Sequence, residues 1–498
     1  MLSSPGVGGS NVSATYIWWG VTLYTVAAGI VALWSKRGKS RTMSGYFLGN
    51  RAMGGFVSAL SYSSTTYSAF MLVGLAGLTY QGGVGALGFE LLYLCGVSLV
   101  AVFGPRFWLA GKRFGYITPT EMLGDRYDSK AVSLVTAVFS CLFLIPYTAV
   151  QLAGVGYLLQ GMTNDAISFT TGTVLATVLA IVFSLTAGLR SVAWTDALQA
   201  VFMVVTATSV VLVVIDSLGG FGSLFHAIQT EHPGMLTVPG NGYFSFSTFL
   251  GLTLPWIFFS ISNPQVSQRL FTVKSMKDLR HMLLGFLCFG FIYTLVAVLW
   301  GFLALTQFPD LPTADLATPK LLASSLVPTA LGVIVMIGIM AAAISTVDSI
   351  LLTLSSVVAR DVYRRSDEAQ QLLIGKIVIP IIAVLAFSFA QLELNLIAVL
   401  SVSASAGLLV MVPAIVGAFF WKRGTAAGVI ASTTVGGLLV IVLELFQLKW
   451  LGQGSGVWGL TVSLVFYVGV SLLTRAPEEK ATAFLSYVRK ALREKGAV

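Results

Sequence analysis

Residues 341–349 read AAAISTVDS and put Ser345, Thr346, Asp348 and Ser349 inside an apolar stretch running from Leu331 to Val358. Two kinds of oxygen, hydroxyl and carboxylate, stand there where lipid would favour carbon. An ionised Asp at the centre of a membrane helix costs about 2.5–3.5 kcal/mol on insertion scales, so it is kept where it faces a partner, a cation or water. Small residues interleaved with oxygens suit a hard monovalent cation, which points to ion-coupled transport. Ser and Thr also mediate close helix packing in membranes, and that bland reading stands beside the first. Another costly carboxylate, Glu90, lies in GALGFELLYL. It suits a solute's amine or hydroxyl, a bridge to another helix, or a place nearer the interface. Tyr147 and Gln151 in LIPYTAVQLAG add polar edges, with Pro146 as a kink. Trp256 and Ser260 precede Pro264 by eight and four residues. The indole fits either stacking on a solute or anchoring at the membrane interface.

The elements that must position these groups follow from composition. The chain has 498 residues, 56% hydrophobic and 10% charged, with a mean hydropathy of +0.87. Soluble domains carry about 25% charged residues, so a polytopic membrane protein is expected. Met1–Ser13 is polar, with no basic region before the first apolar run, so no cleavable signal is read there. Cys95, Cys141 and Cys288 fall in apolar segments at no metal or disulfide spacing and read as packing residues. The net charge of +9 is spread between apolar runs rather than gathered on a face, which disfavours nucleic acid as a partner.

At about 20 apolar residues per span, the sequence divides into thirteen helices: 15–35, 53–80, 84–105, 131–160, 165–187, 193–217, 244–265, 282–307, 325–358, 372–391, 395–421, 425–446 and 456–474. Of the 29 Lys and Arg, all but Lys320 and Lys449 then fall on one side. That side takes Lys36, Arg37, Lys39, Arg41, Arg126, Arg190, Arg269 and Arg365 among others, and it reads as the cytoplasm. The N-terminus is thus expected outside and the C-terminus inside. The middle ten helices form two sets of five, and an odd number per set inverts the second relative to the first. The sets open with SALSYSSTTYSAFMLVGLAG (58–77) and FSISNPQVSQR (259–269), both of them helix-breaking stretches. Interrupted helices at matching places in two halves point to a mid-membrane binding site. The freed backbone oxygens there need an ion, a cavity or protein groups to satisfy them.

With these segments in order, the chain resembles the sodium/solute symporter family, whose members carry proline, pantothenate, sugars or sialic acid. The resemblance covers about residues 44–475. It rests on GYFLGNRAMGGFVSALS (45–61), GLAGLTY (74–80), GLRSVAWTDALQ (188–199), AAAISTVDS and ARDVY (359–363). It implies an all-α integral membrane protein with a five-plus-five inverted repeat of the leucine-transporter type. The expected organisation is an extra N-terminal helix and basic loop (1–43), a first repeat (44–217), an outer loop (218–243) and a second repeat (244–423). Two further helices (424–475) and a charged amphipathic tail (476–498) follow, the tail lying on the inner leaflet.

The resemblance also implies a co-transported sodium ion. Carried over residue by residue, its ligands are the carbonyls of Ser64, Tyr67 and Ala342 and the hydroxyls of Ser345 and Thr346. Neutral oxygens can replace sodium's water shell without adding net charge. In some relatives Asp196 and hydroxyls matching Ser345 and Ser349 hold a second sodium, with Asp348 standing where those relatives have Ser. Asp196 equally fits a helix cap or a pairing with Arg190. The solute is expected among the first, second, third, sixth and tenth core helices, against Thr66, Ser68, Glu90, Gln151, Trp256 and Ser260. The third helix holds no Arg, which disfavours sialic acid.

These readings describe a monomeric secondary transporter in the cell membrane that imports a small polar organic solute, such as an amino acid, vitamin or small carboxylate, with sodium. The alternatives are proton coupling on the same fold, through Asp196 or Asp348, and a solute sensor without net flux. No nucleophile–base pair, metal motif or phosphate loop suggests an enzyme.

Overall fold

Apolar runs bounded by Gly, Pro and charge become helices, because backbone groups in lipid must be satisfied within the segment. The computed structural model describes residues 13–35, 42–364, 367–393 and 397–495. Lys36, Arg37, Lys39, Arg41 and Arg365 lie outside them. Among the described residues there are helices and one isolated bridge, Met53 to Val273. Eleven helices among the described residues are long and apolar enough to cross a membrane.

The chain begins with α1 (Ala14–Ser35). A broken segment follows, built of α2 (Gly55–Thr66), a π-helical turn over Phe70–Leu75 and α3 (Ala76–Gly82). Next come α4 (Gly85–Val97), α5 (Leu99–Phe114), α6 (Lys130–Met162) and α7 (Phe169–Ser217). A second broken segment joins α8 (Phe246–Ser262) to the short turns Pro264–Ser267 and Gln268–Phe271. After it run α9 (Met276–Gln307), α10 (Thr329–Val357), α11 (Glu368–Ala390), α12 (Ile397–Leu408) and α13 (Val412–Phe420). The chain closes with α14 (Ala426–Leu445), α15 (Ser455–Leu473) and α16 (Glu478–Glu494).

The expected boundary between the fifth and sixth helices is a kink within α7. Gly188 adopts φ 62°, a conformation that costs a side-chain-bearing residue but not glycine. The two broken segments are absent from the eleven long helices because neither contains an uninterrupted run of sufficient length. They are tied to each other. The Met53 amide donates to Thr272 (3.2 Å) and the Lys274 amide to Met53 (2.9 Å), so the lead-in to one interrupted helix meets the exit of the other. Around them, α2 packs between α7 and α9, and α10 lies along α7. Gly290 of α9 lets that helix approach closely, since a Cβ there would meet the Tyr67 hydroxyl at 2.2 Å.

Two expectations about charge and amphipathicity are corrected by packing. Arg126 and Arg269 are not loop cations: they are 0% and 6% exposed. Arg126 donates to the carbonyls of Ala418 (3.0 Å) and Trp421 (3.1 Å), capping the end of α13. The apolar face of α16 is not left for lipid either. Phe484, Leu485, Val488 and Leu492 are buried against the protein. Phe484 stacks on Phe114 with ring centroids 5.7 Å apart, and Lys480 pairs with Asp125. An amphipathic helix seeks any apolar cover, and α5 supplies it.

Candidate functional site

The first interrupted helix breaks where hydroxyls crowd. In SYSSTTYS, Ser63 and Thr66 turn back to bond the carbonyls of Ala59 and Tyr62, each at 2.8 Å. Such back-bonding competes with the helical ladder. Tyr67, at φ −92° and ψ 75°, then leaves the helix. Four residues on there is no helical amide in register, so the carbonyls of Ser64 and Thr65 are free to be used elsewhere.

Helix α10 meets them with its oxygens. The Thr346 hydroxyl lies 3.2 Å from the Ser64 carbonyl, 3.2 Å from that of Thr65 and 3.1 Å from that of Ala342. The Ser64 and Ser345 hydroxyls are 3.3 Å apart. Ser64, Ala342, Ser345 and Thr346 are therefore brought together. Thr346 makes no hydrogen bond to the Tyr67 carbonyl, and the Thr65 carbonyl joins the group. The side chain of Tyr67 faces α9, stacked on Phe286 at 5.1 Å.

Asp196 and Ser349 also converge, but around a cation the protein carries itself. Arg269 places Nη2 3.3 Å from Asp196 Oδ2 and Nη1 2.6 Å from Ser61 Oγ. It also donates to Ser349 Oγ. Ser61 donates to Asp196 Oδ2 (2.7 Å) and Ser345 donates to Oδ1. The carboxylate thus has partners on both oxygens, and its cation is Arg269 rather than Arg190. Ser345 has one proton, committed to Asp196, so Ser64 must donate in the contact between the two serines. The lone pairs of Ser345 are then turned toward the broken helix. Thr65 and Ser349 hydroxyls, 3.2 Å apart, close the loop back to α2. Asp348 points elsewhere, accepting from Ser184 at 2.9 Å.

The expected solute contacts separate into two groups. Thr66, Glu90 and Trp256 line one cavity together with Tyr67, Phe70, Tyr93 and Phe259. It holds about 10 Å³, room for roughly one water. Ser68 does not line it, and its hydroxyl accepts from the Phe70 amide at 3.3 Å. Gln151 and Ser260 are fully buried, also off the cavity wall. Several polar groups here lack a protein partner: Glu90 Oε2, Trp256 Nε1, Ser260 Oγ, both amide atoms of Gln151 and the hydroxyl of Tyr67. Buried polar groups are normally paired, so a cluster of orphans marks a place for a ligand or water. Trp256 is not an interface anchor: it is 3% exposed, edge-on to Phe70 (5.1 Å) and Phe259 (4.6 Å). A larger cavity of about 430 Å³ opens beside the start of α8, between α12 and the loop joining α14 to α15.

Sequence reasoning missed Thr65, Ser61 and Arg269. Ser61 sits one turn before Thr65 in the same hydroxyl-rich helix, and Arg269 ends the very segment that Pro264 interrupts. Both signals were present; what was missing was that the chain after Pro264 stays inside the protein.

Two interrupted helices, one of which meets α10 at a cage of oxygens within a bundle of long apolar helices, give the chain the leucine-transporter fold. Solved structures share this architecture. One is a Na+-coupled sialic acid symporter, at a TM-score of 0.76 and 20% identity, covering 93% of this chain and 99% of that one. Another is Mhp1, a nucleobase-cation-symport-1 family transporter, at a TM-score of 0.59 and 13% identity, covering 90% and 99%. The chain belongs to the Sodium:solute symporter family, which matches residues 46–436. Among its relatives are the sodium/pantothenate symporter of Escherichia coli (strain K12), 26% identical over 89% of this chain and 93% of that protein. A sodium/proline symporter of Staphylococcus aureus is 26% identical over 91% and 92%.

Proposed function

We propose that this chain imports a small polar organic solute by symport with a single sodium ion. Sodium is cargo here, held by the carbonyls of Ser64, Thr65 and Ala342 and the hydroxyls of Ser345 and Thr346. The observation that carries the reading is the meeting of Thr346 with carbonyls released at the break after Thr66. The ion draws the broken helix onto α10, and since Thr66 and Tyr67 also line the solute cavity, it shapes that cavity as it binds. Coupling of this kind is reciprocal: solute tightens sodium by the factor by which sodium tightens solute. Each inward sodium contributes about 2.3 kcal/mol per 100 mV of membrane potential.

Asp196 and Ser349 act differently from the second sodium site expected of them. Asp196 and Arg269 form a fixed charge pair that, with Ser61 and Ser349, ties α2, α7 and α10 together. In this reading the eleven long helices and two broken ones make thirteen crossings. The repeats span 44–217 and 244–423, the N-terminus is outside and the C-terminus inside. The 430 Å³ cavity, beside Lys449, then faces outward.

The test is uptake into proteoliposomes of amino acids, vitamins, short carboxylates and sugars, with sodium or potassium outside. A solute accumulated only with sodium, and no longer accumulated by the Ser345→Ala/Thr346→Ala variant, is the expected result. Uptake driven by a pH step in the absence of sodium would replace this proposal with proton coupling.

A further inference from the structure

We propose that the transported solute carries a protonated amine and that Glu90 is its counter-ion. This rests on the symport reading above and adds the chemistry of what is carried. Glu90 is 1% exposed, and its Oε2 has no hydrogen-bond partner. Among the described residues no Lys, Arg or His forms a salt bridge with it. The buried guanidinium nearest the ion cage, Arg269, is committed to Asp196. A carboxylate isolated in this way is costly, and removing a counter-charge from such a group is among the most destabilising changes a protein can suffer. A solute that brings a positive charge supplies what the pocket lacks.

The walls select further. Phe70, Tyr93, Trp256 and Phe259 surround Glu90 with aromatic rings. Their negative faces attract a cation, and more strongly where water is excluded. A carboxylate-only solute would meet Glu90 with like charge and find no basic residue on the wall. A sugar would bring hydroxyls to Glu90 but no positive charge for the carboxylate or for the ring faces. An ammonium group is served by both the carboxylate and the rings. The unpartnered donor on the same wall, Trp256 Nε1, suits an acceptor group at the other end of the same molecule. A zwitterion meets both requirements.

The experiment is a thermal-shift titration of the purified full-length protein in amine-free phosphate buffer with saturating sodium. Its probes are L-proline, L-alanine and glycine against lactate, pantothenate and glucose. Stabilisation by an amine-bearing probe and by none of the others is expected, with apparent affinity falling by about tenfold or more in Glu90→Gln. The sodium-induced shift should survive in Glu90→Gln, which shows that the variant is folded and its ion cage intact. Stabilisation by lactate, pantothenate or glucose, by no amine probe, or amine affinity unchanged in Glu90→Gln overturns the assignment. The symport reading fails separately, through loss of the sodium shift in the wild-type protein.

Discussion

Asp196 and Glu90 are both carboxylates buried in membrane helices, and the protein treats them in opposite ways. Asp196 has both oxygens bonded and a guanidinium beside it. Glu90 has an orphan oxygen, a small cavity and a ring of aromatics. Insertion cost is alike for the two, so cost alone says only that each must be compensated. Where the compensation comes from separates a structural charge from one that awaits a ligand.

The widest gap between the two should appear in stability. Arg269→Ala leaves Asp196 buried and unpaired and is expected to destabilise by about 3–5 kcal/mol. Neutralising both partners, as Asp196→Asn/Arg269→Gln, should recover part of that loss. Thermal unfolding in detergent measures both, and a single-variant loss below about 1 kcal/mol would remove the paired half of the comparison. Ser345→Ala deletes a bond to Asp196 and a contact with Ser64, and should cost about 1–3 kcal/mol while weakening the sodium-induced shift. If stability falls but sodium response is untouched, Ser345 supports Asp196 only.

Glu90→Gln should change stability in the absence of solute by no more than about 1 kcal/mol, because no protein partner is lost. A loss as large as that of Arg269→Ala would mean Glu90 already has a partner and would end the contrast. Asp315, outside the spans, gives a third buried carboxyl to compare. Burial pushes it up from 3.8 to about 7, countered in part by the Ile397 amide at 3.0 Å. The folded state then holds this proton where the unfolded state has released it, so its contribution to stability is greatest below about pH 4 and is lost as pH rises through 7. Asp315→Asn should flatten that slope in pH-dependent unfolding; an unchanged slope assigns it to other groups. The smallest effect belongs to Lys480→Ala, an exposed pair with Asp125, at below about 1 kcal/mol by thermal unfolding. A larger loss would show that α16 is held by charge rather than by Phe484 and its neighbours.

Helix order, the two interruptions and the oxygens of α10 were legible in the sequence, because apolar length and broken periodicity are local properties. The partner of Asp196 was not. Arg269 was counted with loop cations because charge following a helix normally reaches solvent, and only the fold returns 264–271 into the bundle. The tail misled for a related reason: amphipathicity says that a face is covered, not by what. Tyr67 was carried over as a ligand by resemblance, and the Thr65 carbonyl, which the resemblance did not name, also reaches Thr346 at the bend. Backbone direction at a break of this kind depends on a few dihedral angles that side-chain identity does not specify.

Equilibrium binding of radiolabelled sodium to the purified protein tests the central claim most directly. The account predicts about one ion per chain in the wild type, because Asp196 already has its cation in Arg269, and none in Ser345→Ala/Thr346→Ala. Two ions per chain, or binding that survives in that variant, would contradict it.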